Sequence, residues 1–384
     1  MYIQMPLSGF GDGADQIYHI YQETHIMERK VGYAVVGLGI GKAHADAAAA
    51  SQHARLVAVC DLIQEKMDKI VQKYPGTKTY TDFDEMLKDP EIEIVSICLP
   101  SAMHAEYAAR AMRAGKHVLV EKPLDITPDA AMLIEKVRLE TGKKAGVVHQ
   151  NRNNVDMLPL KRAVETGHLG RVYLGTFAVK WYRKQSYYEG WHGTWAMDGG
   201  GSLMNQSVHT VDLMQWLMGD VESVTSHMDI YDHDIETEDT TVSILRFKSG
   251  AVATFVSTTC AYPGVSTDIQ LYGTNGSVET DQDILKTWKF KEFSDEFAEE
   301  MGLDAMDTEE EEEEMLARYG KGNPGYLAEH PDTFVGHRSV VEDMIDAVLH
   351  DRDPQILPLE AIKAVRIVCA VYESAKTGKT IYFD

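Results

Sequence analysis

Over the first 150 positions, short apolar runs alternate with segments of helical period. Tyr33–Val36, Leu56–Cys60, Ile94–Leu99 and His117–Val120 read as strands covered on both faces, and Val147–His149 closes the series. An alanine-rich helix reaching Ala50 and a second helix over Gln64–Tyr74 fall between them. This alternation predicts a doubly wound parallel sheet. Beyond about residue 151 the pattern changes. A helix at Leu158–Thr166 leads into strand-like segments at Val172–Trp181, Val221–Ile230, Thr241–Phe247, Ala251–Thr258 and Asp268–Tyr272. Gly250 and Asn275-Gly276 mark turns between them. One helix, Ser202–Met218, interrupts this run, and Ser339–His350 and Leu359–Thr377 end the chain as helices. Val365, Val368 and Tyr372 give the last helix an apolar face, which predicts that it returns to the first domain. The expected class is α/β. An extension over 1–30 precedes a doubly wound domain over 31–150. An α+β domain over 151–384 follows, built on a large open antiparallel sheet.

Composition narrows the partners more than the fold. Of 384 residues, 44% are hydrophobic and 25% charged, enough apolar material for two ordinary cores. The formal net charge of -23 argues against nucleic acid and anionic membranes as partners. Glu309 to Glu314 reads as a solvated acidic run. The four cysteines (Cys60, Cys98, Cys260 and Cys369) have neither metal nor disulfide spacing, so a reducing, cytoplasmic setting is expected. No apolar stretch is long enough to span a bilayer, and Met1 to Lys30 lacks the form of a secretory signal. That extension reads either as disordered or as an arm on a neighbouring subunit.

Gly37-Leu38-Gly39-Ile40-Gly41 follows the first strand and opens a helix. Glycines there permit a tight turn and close approach to a pyrophosphate, whose charge sits at the helix N-terminus. Asp61 ends the second strand at the position where a carboxylate accepts both ribose hydroxyls and repels a 2′-phosphate. The domain is therefore expected to be a Rossmann domain that binds NAD rather than NADP, through Gly37, Gly39, Ile40, Gly41 and Asp61. The plain alternative for Asp61 is a helix cap. The third glycine comes one residue early, with Lys42 in its usual place.

Further motifs are more specific together than singly. They are Leu99-Pro100-Ser101 with His104, Glu121-Lys122-Pro123, Trp191-His192-Gly193-Thr194-Trp195, and Asp198-Gly199-Gly200-Gly201-Ser202-Leu203-Met204-Asn205-Gln206 with His209 and Asp212. From about Val31 onward the chain resembles the glucose–fructose oxidoreductase, inositol dehydrogenase and rhizopine-catabolism family, Gfo/Idh/MocA. The resemblance implies a homo-oligomer, dimer or tetramer, paired through the open sheets. It implies NAD as cofactor, and carries Leu99, Pro100, His104, Glu121 and Lys122 to the cofactor wall. It places Lys122 beside the nicotinamide, before a cis proline, and His209 one turn after a position usually acidic, here Asn205. The Met-Asn-Gln variant resembles the branch that oxidises pyranoses at carbon 3.

Oxidising a secondary hydroxyl requires a group to take its proton and another to stabilise the developing oxyanion. His209 is expected as the base and Lys122 as the stabiliser or proton relay, with the two roles exchangeable. Asn205, four residues before His209 on a helix, would orient substrate, and Asp212, three after it, would orient the ring. Aromatic faces suit sugar C–H surfaces, which nominates Tyr188, Trp191 and Trp195 with Arg183 as sugar contacts. The plain alternatives are a surface lysine, a core histidine, a core aromatic cluster and a helix-start acid. Asp232, His233, Asp234, Glu236, Glu238 and Asp239 read as a solvated loop without metal-ligand spacing, so no metal is expected. Spacing decides nothing for His330 and His337. The leading expectation is an NAD-dependent oxidoreductase acting on a secondary hydroxyl of a sugar or sugar derivative. Two other readings stay open: an NAD-recycling glycosidase-type or sugar-exchanging enzyme working through a keto sugar, and a non-catalytic dinucleotide- and sugar-binding regulator.

Overall fold

A computed structural model describes residues 29–154, 156–281, 284–291 and 335–383. Most of the N-terminal extension, the run Glu309 to Glu314, and His330 lie outside the described residues.

The first domain is a six-stranded parallel sheet. Its strands are β1 (Val31–Val36), β2 (Ala54–Cys60), β3 (Lys78–Tyr80), β4 (Ile94–Ile97), β5 (His117–Val120) and β6 (Ala145–Val147). They lie in the order β3-β2-β1-β4-β5-β6. All six residues of β1 are buried, as expected of a strand with helices on both faces. Helix α1 (Gly41–Ala50) owes its close seat to small side chains. A Cβ at Gly41 would stand 2.8 Å from Val35 Cγ1. The outer helices are α2 (Gln64–Lys73), α3 (Phe83–Leu87), α4 (His104–Arg113) and α5 (Pro128–Thr141). Thr127 caps α5 through the Ala130 N–H, and Gly142 ends it in the left-handed region.

The second domain opens with α6 (Met157–Glu165) and holds an eight-stranded sheet. Its strands are β7 (Val172–Lys180), β8 (Val221–Asp229), β9 (Thr240–Phe247), β10 (Val252–Thr258), β11 (Ser266–Gly273), β12 (Gly276–Asp281), β13 (Ile284–Phe290) and β14 (Ile381–Tyr382). Their order is β13-β12-β11-β7-β10-β9-β8-β14. The sheet is mixed rather than wholly antiparallel, because β10 runs parallel to β7. The chain between β7 and β8 crosses back through a helix, α7 (Val208–Met218), so the β8-β9-β10 meander starts from the same end as β7. Along β9 burial alternates. Leu245 and Phe247 face the core, while Val242 and Ile244 are exposed on the other face.

Two late helices tie the domains together. In α8 (Val335–Leu349), Val340, Val341, Met344 and Ile345 join the core that contains Ala45 and Ala48 of α1. Helix α9 (Pro358–Thr377) serves both cores: Ile362 and Val365 pack with the parallel sheet, Val368 and Tyr372 with the mixed one. The 31–150 span thus misses a layer that the chain supplies only after residue 335.

Candidate active site

A cleft of about 810 Å³ opens where the C-terminal ends of β1, β4 and β5 face the second domain. The order of strands reverses between β1 and β4, which is where doubly wound sheets bind ligands. One end is lined by Gly37, Leu38, Gly39, Ile40, Asp61, Leu99 and Pro100. A Cβ on Gly37 would come within 2.2 Å of the Cys98 carbonyl oxygen, so this turn needs glycine. Gly39 has open space around it, which leaves room for a pyrophosphate at the start of α1. The Asp61 carboxylate accepts the Leu38 N–H at 2.7 Å and the Ile63 N–H at 2.9 Å. It is thus both a local cap and a carboxylate at the cleft wall. These features fit a dinucleotide.

The other end gathers Glu121, Lys122, Gln150, Tyr187, Trp191, His192, Asn205, Gln206, His209 and His337. Lys122 follows β5, and its peptide bond to Pro123 is cis. Its ammonium donates to the Asn205 carbonyl at 3.2 Å. Burial lowers the Lys122 pKa, against the charges of Glu121 and Asp198. His209 is half-buried at the cleft wall; burial first, and then the Lys122 charge, hold its pKa well below the usual value. Its Nδ1 has no partner, and Gln150 Nε2 stands 3.4 Å from its Nε2. A neutral imidazole beside a lysine can accept a proton from a bound hydroxyl, here at Nε2, the nitrogen that the Gln150 amide approaches.

Glu121 anchors the Lys122 side of the cleft. His44 Nε2 lies 2.9 Å from its carboxylate, with Ser96 Oγ 2.9 Å from the other ring nitrogen, and His337 Nε2 is at 3.5 Å. Burial pushes the Glu121 carboxyl up, but hydrogen bonds from His337 and His44 prevail and leave it well below the usual range.

Ser202–Met218 is not one continuous α-helix. Ser202–Gln206 forms a wider turn in which the Ser207 N–H reaches Ser202 O at 3.0 Å, and α7 follows. Asn205 therefore shows its carbonyl to Lys122, while its side chain bonds Asp198, His192 and Tyr187.

Several expected contacts fall elsewhere. Asp212 does not orient His209. It forms a two-pronged pair with Arg152 at 2.7 and 2.6 Å, both side chains buried, because α7 turns it away from the cleft toward the segment after β6. Gly41 acts in helix–strand packing. His104 braces the chain, with its ring nitrogens 2.7 and 2.8 Å from the carbonyl oxygens of Pro123 and Leu99. Tyr188 is buried on Thr259 Oγ1 at 2.7 Å. Trp195 packs edge-on against Tyr372 and donates to the Glu236 carbonyl. Arg183 stands behind Gln206, donating twice to its amide oxygen, with its guanidinium over Trp181 and Tyr187. Of the expected sugar contacts, Trp191 and Asn205 line the cleft. The acidic loop is not solvated throughout. His233, Glu238 and Asp239 are buried because neighbouring backbone N–H groups bond both carboxylates.

Both Gln150, not expected there, and His337, which spacing left undecided, line the cleft. Gln150 sits just past β6, and the strand-end rule that nominates Lys122 also covers it. Nothing local in the sequence marks His337.

Residues 31–149 match the oxidoreductase family with an NAD-binding Rossmann fold, and 157–279 match the GFO/IDH/MocA C-terminal domain. The chain is similar to a WlbA dehydrogenase from Bordetella pertussis solved with NADH and UDP-GlcNAcA. Identity is 30%, the TM-score 0.80, and the match covers 93% of this chain and 99% of that one. It is 28% identical over 258 residues to myo-inositol 2-dehydrogenase of Thermotoga maritima, covering 64% of this chain and 74% of that protein. It is 29% identical over 201 residues to D-glucoside 3-dehydrogenase of Escherichia coli, covering 50% of this chain and 56% of that protein. The chain belongs to the GFO/IDH/MocA family and is an NAD-binding oxidoreductase. Among the described residues, no helix is long and apolar enough to cross a membrane.

Proposed function

We propose that the protein oxidises a secondary hydroxyl of a sugar derivative, at carbon 3 of a pyranose, or runs that reaction in reverse. The observation that carries this is the pairing in one cleft of a partly desolvated Lys122 with a neutral His209. NAD supplies the two-electron acceptor. His209 takes the hydroxyl proton, Lys122 stabilises the oxygen as charge develops, and Asn205 with Tyr187 and Trp191 orients the ring. Support for carbon 3 comes from the glucoside 3-dehydrogenase relative. Arg183, behind Gln206, favours a substrate with an acidic group, since among the described residues its side-chain hydrogen bonds go to the neutral Gln206 amide and Tyr182 carbonyl and to no carboxylate. The test is a panel of neutral hexoses, inositols, uronic acids and nucleotide-linked uronic acids, read by NADH absorbance. NADH formation fastest with an acidic sugar supports the reading. NADH formation only with inositols overturns it, and glycosidic cleavage without net NADH supports the recycling alternative.

Asp61 sets cofactor choice in this reading. Asp61→Ala should weaken NAD binding and narrow its advantage over NADP, measured as the ratio of kcat/KM values. Equal use of both cofactors by the unaltered protein contradicts the assignment.

The outer face of the mixed sheet is apolar at its centre. Exposed Val242 and Ile244 lie across from Val256 and Thr254. In a chain of net charge -23, that patch suits a second copy of the same sheet. A dimer or larger assembly is expected by light scattering at micromolar concentration, and Ile244→Glu should dissociate it. A monomeric unaltered protein rules this surface out.

A further inference from the structure

The wide turn that carries Asn205 starts with four backbone N–H groups that helix geometry leaves without internal partners. Each is met by a residue distant in sequence. Gly201 N–H donates to Glu238 Oε2 at 2.8 Å, and Leu203 N–H to Glu238 Oε1 at 2.7 Å. Ser202 N–H donates to the Glu238 main-chain carbonyl at 3.0 Å, and Met204 N–H to the Tyr372 hydroxyl at 3.1 Å. That hydroxyl in turn donates to Glu238 Oε1 at 3.2 Å. All of these residues are buried or packed in the turn. The glycine run exists to admit these caps. A Cβ on Gly201 would come within 1.9 Å of Glu238 O, and one on Gly200 within 2.0 Å of the Tyr372 hydroxyl.

We propose that Glu238, together with Tyr372, is a positioning residue that caps this turn and so holds the Asn205 carbonyl against the Lys122 ammonium. The argument is one of geometry. The cap fixes the N–H groups of Gly201 to Met204, and the carbonyl bonded to Lys122 belongs to the next residue. Ser202 and Ser207 are pinned from the opposite side by Ser257 of β10, so the turn has few other ways to settle. Burial raises the Glu238 carboxyl to about 7, even with the Leu203 and Gly201 N–H bonds working in the other direction. A buried carboxylate is retained here because several donors converge on it. Neither Glu238 nor Tyr372 lines the cleft, so each acts through the turn.

The inference rests on the assignment of Lys122 to the reaction site, so two of its three readouts need no substrate. Hydrogen exchange is followed by mass spectrometry on peptides covering 199–207 in the unaltered protein, Glu238→Gln, Glu238→Ala and Tyr372→Phe. Acylation of Lys122 by acetic anhydride is followed in the same proteins. Turnover is measured with UDP-GlcNAcA as the probe, beside NADH binding by fluorescence. Glu238→Ala is expected to speed exchange in the turn at least about tenfold, given that two buried donors lose their side-chain acceptor. It should also change Lys122 acylation severalfold and lower kcat while NADH binding holds. Glu238→Gln keeps one acceptor and should fall between, and Tyr372→Phe should loosen the turn less than Glu238→Ala. Unchanged exchange in Glu238→Ala overturns the cap. Faster exchange with unchanged Lys122 acylation and unchanged kcat makes the cap structural only and overturns the positioning role. If the unaltered protein does not turn over UDP-GlcNAcA, it is the choice of sugar that fails, and the first two readouts still decide. If Glu238→Ala does not fold, Glu238→Gln and Tyr372→Phe decide in its place.

Discussion

Lys122→Met lowers turnover by about a hundredfold or more, the range for loss of oxyanion stabilisation or a proton-transfer group, while NADH binding is retained. The reason lies in the separation of roles along the cleft. Gly37, Gly39 and Asp61 line the end that fits a dinucleotide, and Lys122 stands at the other end, bonded to the Asn205 carbonyl. Methionine keeps the length and packing of the side chain but removes its charge and donors. His209→Ala is expected to match it in size. The pH dependence distinguishes the two groups. Because burial holds His209 well below its usual pKa, its ionisation should put no acid limb near 6.5 on the kcat profile. Lys122, lowered by burial, is the group whose limb should appear on the alkaline side, below 10.5. Stopped-flow absorbance at 340 nm across pH 5.5 to 9.5 tests both expectations. Near-normal turnover in His209→Ala at every pH removes it as the base and leaves Lys122 in that role. Full activity in both variants places the chemistry elsewhere.

Asp212→Ala costs about 3–5 kcal/mol of folding stability, the usual result of removing one partner from a buried ion pair. The Arg152 guanidinium is left with Glu360 at 3.4 Å and the Trp216 ring as its remaining partners. Arg152 lies in the segment after β6 and Asp212 on α7, so their bond ties the connection between the domains to α7. Urea unfolding measures the loss. Replacing both partners, Arg152→Met with Asp212→Leu, should recover much of it, since an apolar pair leaves no stranded charge. A loss below about 1 kcal/mol in the single variant places the pair among weak contacts. If Asp212→Asn instead shifts the kcat profile while leaving stability intact, Asp212 does serve His209 after all.

What the sequence determined by itself was most complete where the physics is local. Strands covered on both faces must be apolar along their whole length, so β1, β2, β4 and β5 could be read directly. Parallel strands bring their C-terminal ends to one edge, and so Gly37, Asp61, Leu99 and Lys122 could be assigned to one cleft from their place in the pattern. The apolar face of α9 was legible too, though not that it divides between two cores. The tertiary structure alone decided the polar pairings. A helical period reports that a face is buried, not which distant residue meets its polar groups. Asp212 at one turn from His209 therefore suggested a contact that Arg152 takes instead. The loop before β9 looked solvated because its acids outnumber its apolar residues, and its last part is buried because Glu238 and Asp239 meet N–H groups that no local pattern displays. The same holds for Ser202–Gln206. Its composition suits an ordinary helix, and the wider turn is imposed by partners from β10, α9 and the loop before β9, whose positions relative to it are settled only when the chain has folded.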